Sequence, residues 1–217
     1  MHDRDASGIN VKRLICVFLV NLLAATSFAD TLTDEAFQNL ANEYINDLAN
    51  ISPVLATSVG DHSADGELDD VDDDARAETL SLYREYKTAL NGLDRNELTR
   101  ANQVDAEMLL HEIESSIWSI ETLQEWAWNP LYYVDMSGNA IYALIARDFA
   151  PIEQRLMAAA SRLEQLPRFL EQARGSIETD RVPKIHAETA IKQNPGLSSI
   201  IEAMIVPKME ALPAAQQ

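Results

Sequence analysis

Apolar residues recur at helical spacing along most of this chain. In the first clear stretch they lie 3, 4, 7, 8 and 11 positions apart, which places them on one face of a helix. These residues are Phe37, Leu40, Ala41, Tyr44, Ile45 and Leu48. Comparable spacing, together with Pro and Gly at the ends, predicts further helices at about 53–59, 73–91, 99–123, 139–148, from Pro151, at 184–194 and at 197–206.

Proline and glycine set the predicted boundaries. Gly60 stops the second helix, and Asn129-Pro130 terminates the fourth, because the residue before a proline leaves helical space. The passage Leu131–Gly138 is predicted to be irregular, and Pro167 is predicted to break or kink the helix that starts at Pro151. No segment alternates with a period of two. The pattern therefore predicts one all-α domain, a multi-helix array of antiparallel helices joined by short turns.

The first 29 residues have the pattern of an export signal. Lys12 and Arg13 precede an apolar run, 14–25, and small residues at Ser27 and Ala29 fit a signal-peptidase site. The run is shorter than the roughly 18 to 20 apolar residues of a membrane span. We therefore predict a signal peptide at 1–29 and a helical domain at 30–217, which is periplasmic or extracellular and has no stable membrane span after cleavage.

The chain is strongly acidic, with a formal net charge of −18. Such a surface disfavours nucleic acid and anionic membranes as partners. It favours solubility, or binding of cations or basic peptides as partners. Cys16, the one cysteine, lies in the predicted signal, so the exported domain must be held by a hydrophobic core rather than by disulfides.

A catalytic zinc motif is absent from the sequence. A helical H-E-x-x-H places two imidazoles and a carboxylate around the metal. The predicted exported domain contains His62, His111 and His186, and His111-Glu112 is followed by Ser115 where the second histidine would be needed. We therefore assign no catalytic residue and no cofactor to this chain.

Three motifs follow one another in the second half of the chain. They are E-W-A-W-N-P-L-Y-Y at 125–133, I-A-R-D-F-A-P-I-E-Q-R at 145–155 and R-V-P-K-I-H-A-E-T-A at 181–190. This set resembles the bacterial domain of unknown function 885 family, which groups with thermolysin-like zinc metallopeptidases. The resemblance runs from about Phe37 to the end of the chain and matches the N-terminal part of that family.

The resemblance implies a parent protein that hydrolyses peptides with zinc, whose ligands would lie beyond Gln217. This chain would then be the N-terminal portion of a larger helical metallopeptidase-like fold, a truncated family domain without the metal-binding part. It would form a cleft wall or lid for a peptide substrate and be inactive alone. The alternative is a complete secreted helical binding module for a peptide or a cation.

A candidate substrate cleft follows from the same motifs. His186 and Glu188 lie at the start of a predicted helix just after Pro183, and both could edge a cleft. Aromatic side chains could supply an apolar wall and hydroxyl groups; they are Trp128, Tyr132 and Tyr133. The alternative is a structural role for all of these residues. His186 would then hydrogen-bond a neighbouring helix, and Glu188 would stabilise the start of its own helix as a carboxylate near the positive end of the helix dipole. The aromatic residues would form a packed helix junction.

The acidic segment at residues 61–72 fits a twelve-residue calcium-loop template in part. Gly66 supplies the turn, and the candidate ligands are Asp61, Ser63, Asp65, Glu67 and Asp72. Aspartate at the last position weakens the match, because its side chain is shorter than the usual glutamate. The alternative is a solvated acidic loop that caps the third helix.

Overall fold

The computed structural model describes residues 33–213, and the predicted signal at 1–29 lies outside them. These residues form helices and turns without a β-strand, which confirms the all-α prediction. The helices are α1 (33–51), α2 (Pro53–Val59), α3 (Asp73–Gly92), α4 (Arg100–Trp118), α5 (Glu125–Trp128), α6 (Pro130–Ala146), α7 (Ile152–Ser176), α8 (Lys184–Gln193), α9 (Gly196–Ile200) and α10 (Val206–Glu210). A 3₁₀ turn lies at Arg95–Glu97, and π-helical turns lie at Ser119–Leu123 and Ile201–Ile205.

Helices α1, α3 and α4 pack together as an N-terminal group. Its core is made by the predicted apolar face of α1 and by apolar residues of α3 and α4: Phe37, Tyr44, Tyr86, Leu90, Ala106 and Ile113. The Tyr86 hydroxyl donates to the Asp47 carboxylate at 2.5 Å, which ties α3 to α1. The predicted apolar face of α1 therefore packs into this core, except for Ile45, which is exposed.

Helices α6 and α7 form the centre of a C-terminal group. The two helices share a core with the acidic segment at one end and with the turns around α9 and α10 at the other. The fully buried large apolar side chains of this core are Phe169, Ile141, Leu144 and Ile145.

The prediction that residues 131–138 are irregular is wrong, because α6 runs from Pro130 to Ala146. Asn129 caps this helix by accepting from the Leu131 N–H at 3.1 Å, and Pro130 occupies the first turn, where its missing N–H costs nothing. Tyr133, Ser137 and Ala140 are buried at helical spacing. Burial of this face therefore outweighs the weak helix propensity of Gly138 and its polar neighbours.

Pro167 does not end α7, which continues through it to Ser176. The residues beyond the proline are held by tertiary contacts, since Phe169 and Ala173 are buried against α6 and the acidic segment. A proline inside a helix costs about 3 kcal/mol or more. Here packing on both sides of Pro167 offsets that cost.

The acidic segment lies along α7 and is held by the polar side chains of that helix. Backbone N–H groups of Leu68 and Val71 donate to the side-chain oxygens of Gln165 (3.2 Å) and Gln172 (3.1 Å). Carbonyls of the segment accept from several α7 side chains: Ser161, Arg162, Gln165, Arg168 and Ser176. These bonds satisfy backbone groups that have no helical or strand partner.

Arg162 is the most buried charged residue of α7, with 0% of its surface exposed. Its guanidinium donates to the carbonyls of Glu67 (2.8 Å) and Ala140 (2.7 Å) and to the Thr57 hydroxyl at 2.7 Å. A fourth bond reaches the Pro53 carbonyl at 3.2 Å. One side chain thus joins α2, the acidic segment, α6 and α7.

We expect Arg162→Met to lower the free energy of unfolding by about 3–5 kcal/mol, because it leaves buried carbonyls, a hydroxyl and nearby carboxylates without their cationic donor. Urea denaturation followed by circular dichroism measures this loss. The matched control is Arg174→Met on the same helix, whose side chain is 82% exposed and should change stability by less than about 0.5 kcal/mol. Equal effects of the two substitutions would contradict the assigned role of Arg162.

Candidate functional site

A groove of about 540 Å³ lies where the N-terminal and C-terminal helix groups meet. We call it the junction groove. Its walls come from the end of α1, α2, the acidic segment, α3, the π-helical turn after α4, α5 and α6. The lining side chains that carry chemistry include Asp69, Arg76, Tyr83, Trp126, Tyr132 and Tyr133. A cavity of this size can hold a small organic ligand or a short peptide.

Tyr132 and Tyr133 are both brought to this groove, but in different environments. Tyr133 is buried, and its hydroxyl donates to the Trp126 carbonyl at 2.7 Å. Tyr132 packs edge-on against Tyr133, with ring centroids 5.1 Å apart, and is 39% exposed. Tyr132 therefore offers aromatic surface to a ligand, while Tyr133 supports it.

Burial raises the pKa of the Tyr83 and Tyr132 hydroxyls above the ordinary tyrosine value. Electrostatic interaction with the Tyr133 hydroxyl, and less strongly with the Tyr83 hydroxyl, raises the pKa of Tyr132 further. Both groups are therefore neutral at physiological pH. They can each donate or accept a hydrogen bond in the groove.

Arg76 and Trp126 form another part of the groove lining. The Arg76 guanidinium lies 4.1 Å from the Trp126 ring centroid, a cation–π distance. It also donates to the Val71 carbonyl at 2.5 Å and to the Ser176 hydroxyl at 3.0 Å, and it pairs with Asp73. These contacts hold the guanidinium in place and partly compensate its charge.

The two tryptophans of the E-W-A-W motif cap the end of the fourth helix. That helix passes into the π-helical turn and ends at Gln124, whose φ of 51° is in the left-handed region. The prediction that Asn129-Pro130 ends it is therefore wrong. The Trp126 indole donates to the Ile120 carbonyl (3.0 Å), and the Trp128 indole donates to the Leu123 carbonyl (2.9 Å). These bonds satisfy helix-end carbonyls, which otherwise lack partners.

His186 and Trp128 come together at a second place, away from the groove lining. His186 Nδ1 lies 3.0 Å from Asn129 Oδ1, and the rings of His186 and Trp128 are 5.4 Å apart. Since that oxygen accepts, the imidazole nitrogen donates to it. Glu188 is exposed and lies 3.6 Å from the Lys184 ammonium. The five candidate cleft residues thus divide into a groove pair (Tyr132, Tyr133), a His186–Trp128 contact and an exposed carboxylate.

The atoms that a calcium loop would use are bound to protein groups. The Asp65 carboxylate accepts from the Thr57 hydroxyl at 2.7 Å and contacts His62 Nδ1 at 3.1 Å. The carbonyl of Glu67, the seventh template position, accepts from Arg162. A divalent cation there would lie beside a buried guanidinium.

The first and last template positions also serve the local backbone. The Asp61 side chain accepts from the Ser63 N–H at 2.9 Å. The Asp72 side chain accepts from the Ala75 N–H at 3.0 Å and so caps α3. Across residues 33–213, no group of three or more His, Cys, Asp or Glu side chains is placed to hold a metal ion. Calcium binding by the acidic segment stays an untested hypothesis, and these contacts argue against it.

Sequence reasoning missed Arg76, Tyr83 and Arg162. Arg76 and Arg162 bond mainly to groups of other elements, and Tyr83 meets the rest of the groove only through tertiary packing, so no local spacing points to them. The one available signal was the position of Arg162 between apolar residues of an amphipathic helix, where a charged side chain is unusual.

We expect Trp128→Phe to lower the free energy of unfolding by about 1–2 kcal/mol, because the Leu123 carbonyl loses its indole donor. Thermal and urea denaturation measure the change. Trp118→Phe is the matched control, since Trp118 is 52% exposed and should tolerate the same substitution within about 0.5 kcal/mol. A harmless Trp128→Phe would show that the indole bond does not stabilise the helix end.

We also expect no calcium-binding heat in calorimetry up to about millimolar metal, the weak end of natural calcium sites. Binding would require Arg162 and Thr57 to release their partners in the acidic segment. Glu67→Gln serves as a control, because it leaves the backbone carbonyl in place. A heat that Asp65→Asn removes and Glu67→Gln preserves would establish the calcium loop.

Among the helices within residues 33–213, none combines the length and the apolar character needed to cross a membrane.

Comparison with known proteins identifies a family and a similar solved structure. The model of the family "Bacterial protein of unknown function (DUF885)" matches residues 53–217. A candidate lipoprotein of unknown function from Shewanella oneidensis is similar in structure, with a TM-score of 0.73 and 28% sequence identity. The match covers 83% of this chain and 33% of the Shewanella chain, so this chain spans about a third of the length of that protein. No functionally curated protein matches the sequence. The family match extends over more than half of the chain, and the chain therefore belongs to the DUF885 family of bacterial proteins.

Proposed function

We propose that this chain is an exported helical segment of a longer DUF885 protein and that its junction groove forms one wall of a peptide-binding cleft. The observation that carries the proposal is the groove itself, where Tyr83, Tyr132 and the Arg76–Trp126 pair face one cavity between two helix groups. Aromatic walls with a few hydrogen-bonding groups suit the side chains and carbonyls of a peptide.

Export is supported by two observations. The first 29 residues have the pattern of a signal peptide. The similar Shewanella protein is described as a candidate lipoprotein, which is consistent with a place in the cell envelope. We propose that this chain acts in the periplasm or outside the cell.

Peptide hydrolysis belongs, in this proposal, to a longer protein of the family. The residues that the structure describes do not fit a zinc site, because none of their His, Cys, Asp and Glu side chains form a metal-holding group of three or more. Ligands for zinc would have to come from outside residues 33–213. Residues 33–213 would position the peptide and limit the length of peptide that can bind.

The alternative is a complete binding module for a peptide or a cation. One observation favours it, since every wall of the junction groove comes from residues 48–136 of this chain. Binding would then need no other part of a larger protein. The two functions differ in whether a bound peptide is cleaved.

The deciding experiment uses the naturally exported protein and residues 30–217 alone, with zinc analysis and a peptide library read by mass spectrometry. The proposal expects zinc and cleavage in the exported protein, and binding without cleavage by residues 30–217. Binding without cleavage or zinc in both would favour the binding module. The absence of both binding and cleavage would refute both functions.

We expect Tyr132→Ala to weaken peptide binding by about fivefold to tenfold, because one aromatic contact is worth about 1–1.5 kcal/mol. Calorimetry with a peptide selected from the library measures the change. Tyr142→Ala is the matched control on the same helix, since Tyr142 is 48% exposed and does not line the junction groove. Equal effects of both substitutions would place the peptide elsewhere.

A further inference from the structure

We infer that the junction groove selects peptides that carry a positively charged amino group. This inference rests on the proposed peptide-binding function and names the class of peptide that the groove would take. It follows from the cavity, from its exposed aromatic surface and from the balance of charge on its walls.

Four carboxylates and one guanidinium line the groove: Glu67, Asp69, Asp70, Glu78 and Arg76. The single cation is already engaged, because Arg76 pairs with Asp73 and stacks on Trp126. It therefore presents little uncompensated positive charge to a ligand. Carboxylates thus outnumber cations among the lining residues, as acidic residues outnumber basic ones in the whole chain.

Two of the carboxylates are committed to the protein. Asp69 accepts from the Ser52 hydroxyl at 2.7 Å and from the Val54 N–H at 2.9 Å at the start of α2. Asp70 pairs with Arg168 and accepts from Gln172. These contacts fix the positions of both groups beside the cavity.

The other two carboxylates face solvent. Glu67 and Glu78 are exposed, and neither forms an ion pair with another residue in the range 33–213. They lie on different elements, the acidic segment and α3, and both line the cavity. An ammonium group entering the groove would therefore meet a carboxylate that is not already neutralised by the protein.

The aromatic walls suit the same ligand. The face of a tyrosine or tryptophan ring attracts an ammonium or guanidinium group within about 6 Å of its centre. Tyr132 is partly exposed at the groove, and Arg76 already occupies this kind of position over Trp126. A neutral or acidic peptide would gain neither interaction, and an acidic one would be repelled by the carboxylates.

The test is calorimetric titration of the full chain, after removal of the export signal, with four tripeptide amides. Ac-Ala-Lys-Ala-NH₂ carries a side-chain ammonium, and Ala-Ala-Ala-NH₂ carries an N-terminal one. Ac-Ala-Ala-Ala-NH₂ is neutral, and Ac-Ala-Glu-Ala-NH₂ is acidic. We expect one or both ammonium peptides to bind about tenfold more tightly than the neutral peptide, and the acidic peptide to bind most weakly. The ammonium peptide with the larger increase in affinity over the neutral peptide shows whether the groove recognises a side chain or an N-terminus.

Paired variants locate the effect in the groove. Glu78→Gln should reduce the preference for the ammonium peptide by about twofold to fivefold, the range of a partly exposed ion pair. Glu85→Gln is the matched control, because Glu85 is an exposed glutamate of α3 that does not line the groove. Raising the salt concentration should reduce the preference of the unaltered chain as well.

The outcomes separate this inference from the function on which it rests. Equal affinity for the ammonium and neutral peptides, with binding lost in Tyr132→Ala, would overturn charge selection and leave the peptide-binding function standing. A preference that Glu78→Gln and Glu85→Gln reduce equally would also overturn the inference, because it would reflect the overall acidity of the chain. If none of the peptides bind, including those selected from the library, both the inference and the peptide-binding function are refuted.

Discussion

The buried guanidinium of Arg162 is the constraint on which much of this structure depends. A charge without access to water is tolerated only when its donors are satisfied. Desolvation lowers the pKa of Arg162, and the carboxylates of Asp65 and Asp69 oppose that effect. The four oxygen atoms that accept from Arg162 must therefore stay where they are. Since they belong to α2, the acidic segment and α6, one side chain fixes the elements that build a wall of the junction groove.

Side chains of α7 satisfy the backbone groups of the acidic segment, which has no regular secondary structure between residues 67 and 71. Residues 67–71 are neither helix nor strand, yet Gln165, Gln172 and Arg168 satisfy their backbone groups. These side chains recur about once per turn along one face of α7, where they run parallel to the segment. An irregular, acidic stretch is thereby held in a defined position, and its carboxylates are set beside the cavity.

Within the E-W-A-W-N-P-L-Y-Y motif, different aromatic residues serve the fold and the proposed binding site. Trp126 and Trp128 donate to helix-end carbonyls, and Tyr133 donates to the Trp126 carbonyl, so these three hold the junction between α4 and α6 together. Tyr132 makes no such bond within the described residues, and it is the one of the four that keeps substantial exposed surface at the groove. A rigid aromatic frame with one exposed ring is a suitable wall for a ligand, because little ordering is needed on binding.

The junction groove lies between two separately packed cores. The N-terminal group closes around Ile113 and Leu90, and the C-terminal group closes around Phe169 and Ile141. The two groups thus bury separate sets of apolar side chains. The cavity between them can therefore carry charged and hydroxyl groups without weakening either core.

The sequence by itself determined the all-α class, the apolar face of α1, the position of α2 between Pro53 and Gly60 and the acidity of the chain, because these depend on local spacing, helix-ending residues and composition. Only the tertiary structure decided that Leu131–Gly138 is helical and that α7 continues through Pro167, since long-range burial outweighs local propensity there. The sequence likewise predicted only part of the candidate site. Tyr132 and Tyr133 were visible as an aromatic pair, but their meeting with Arg76 and Tyr83 depends on the packing of two helix groups distant in sequence. His186 and Trp128 were grouped with them by motif, and packing instead joined those two residues through Asn129 at a separate contact.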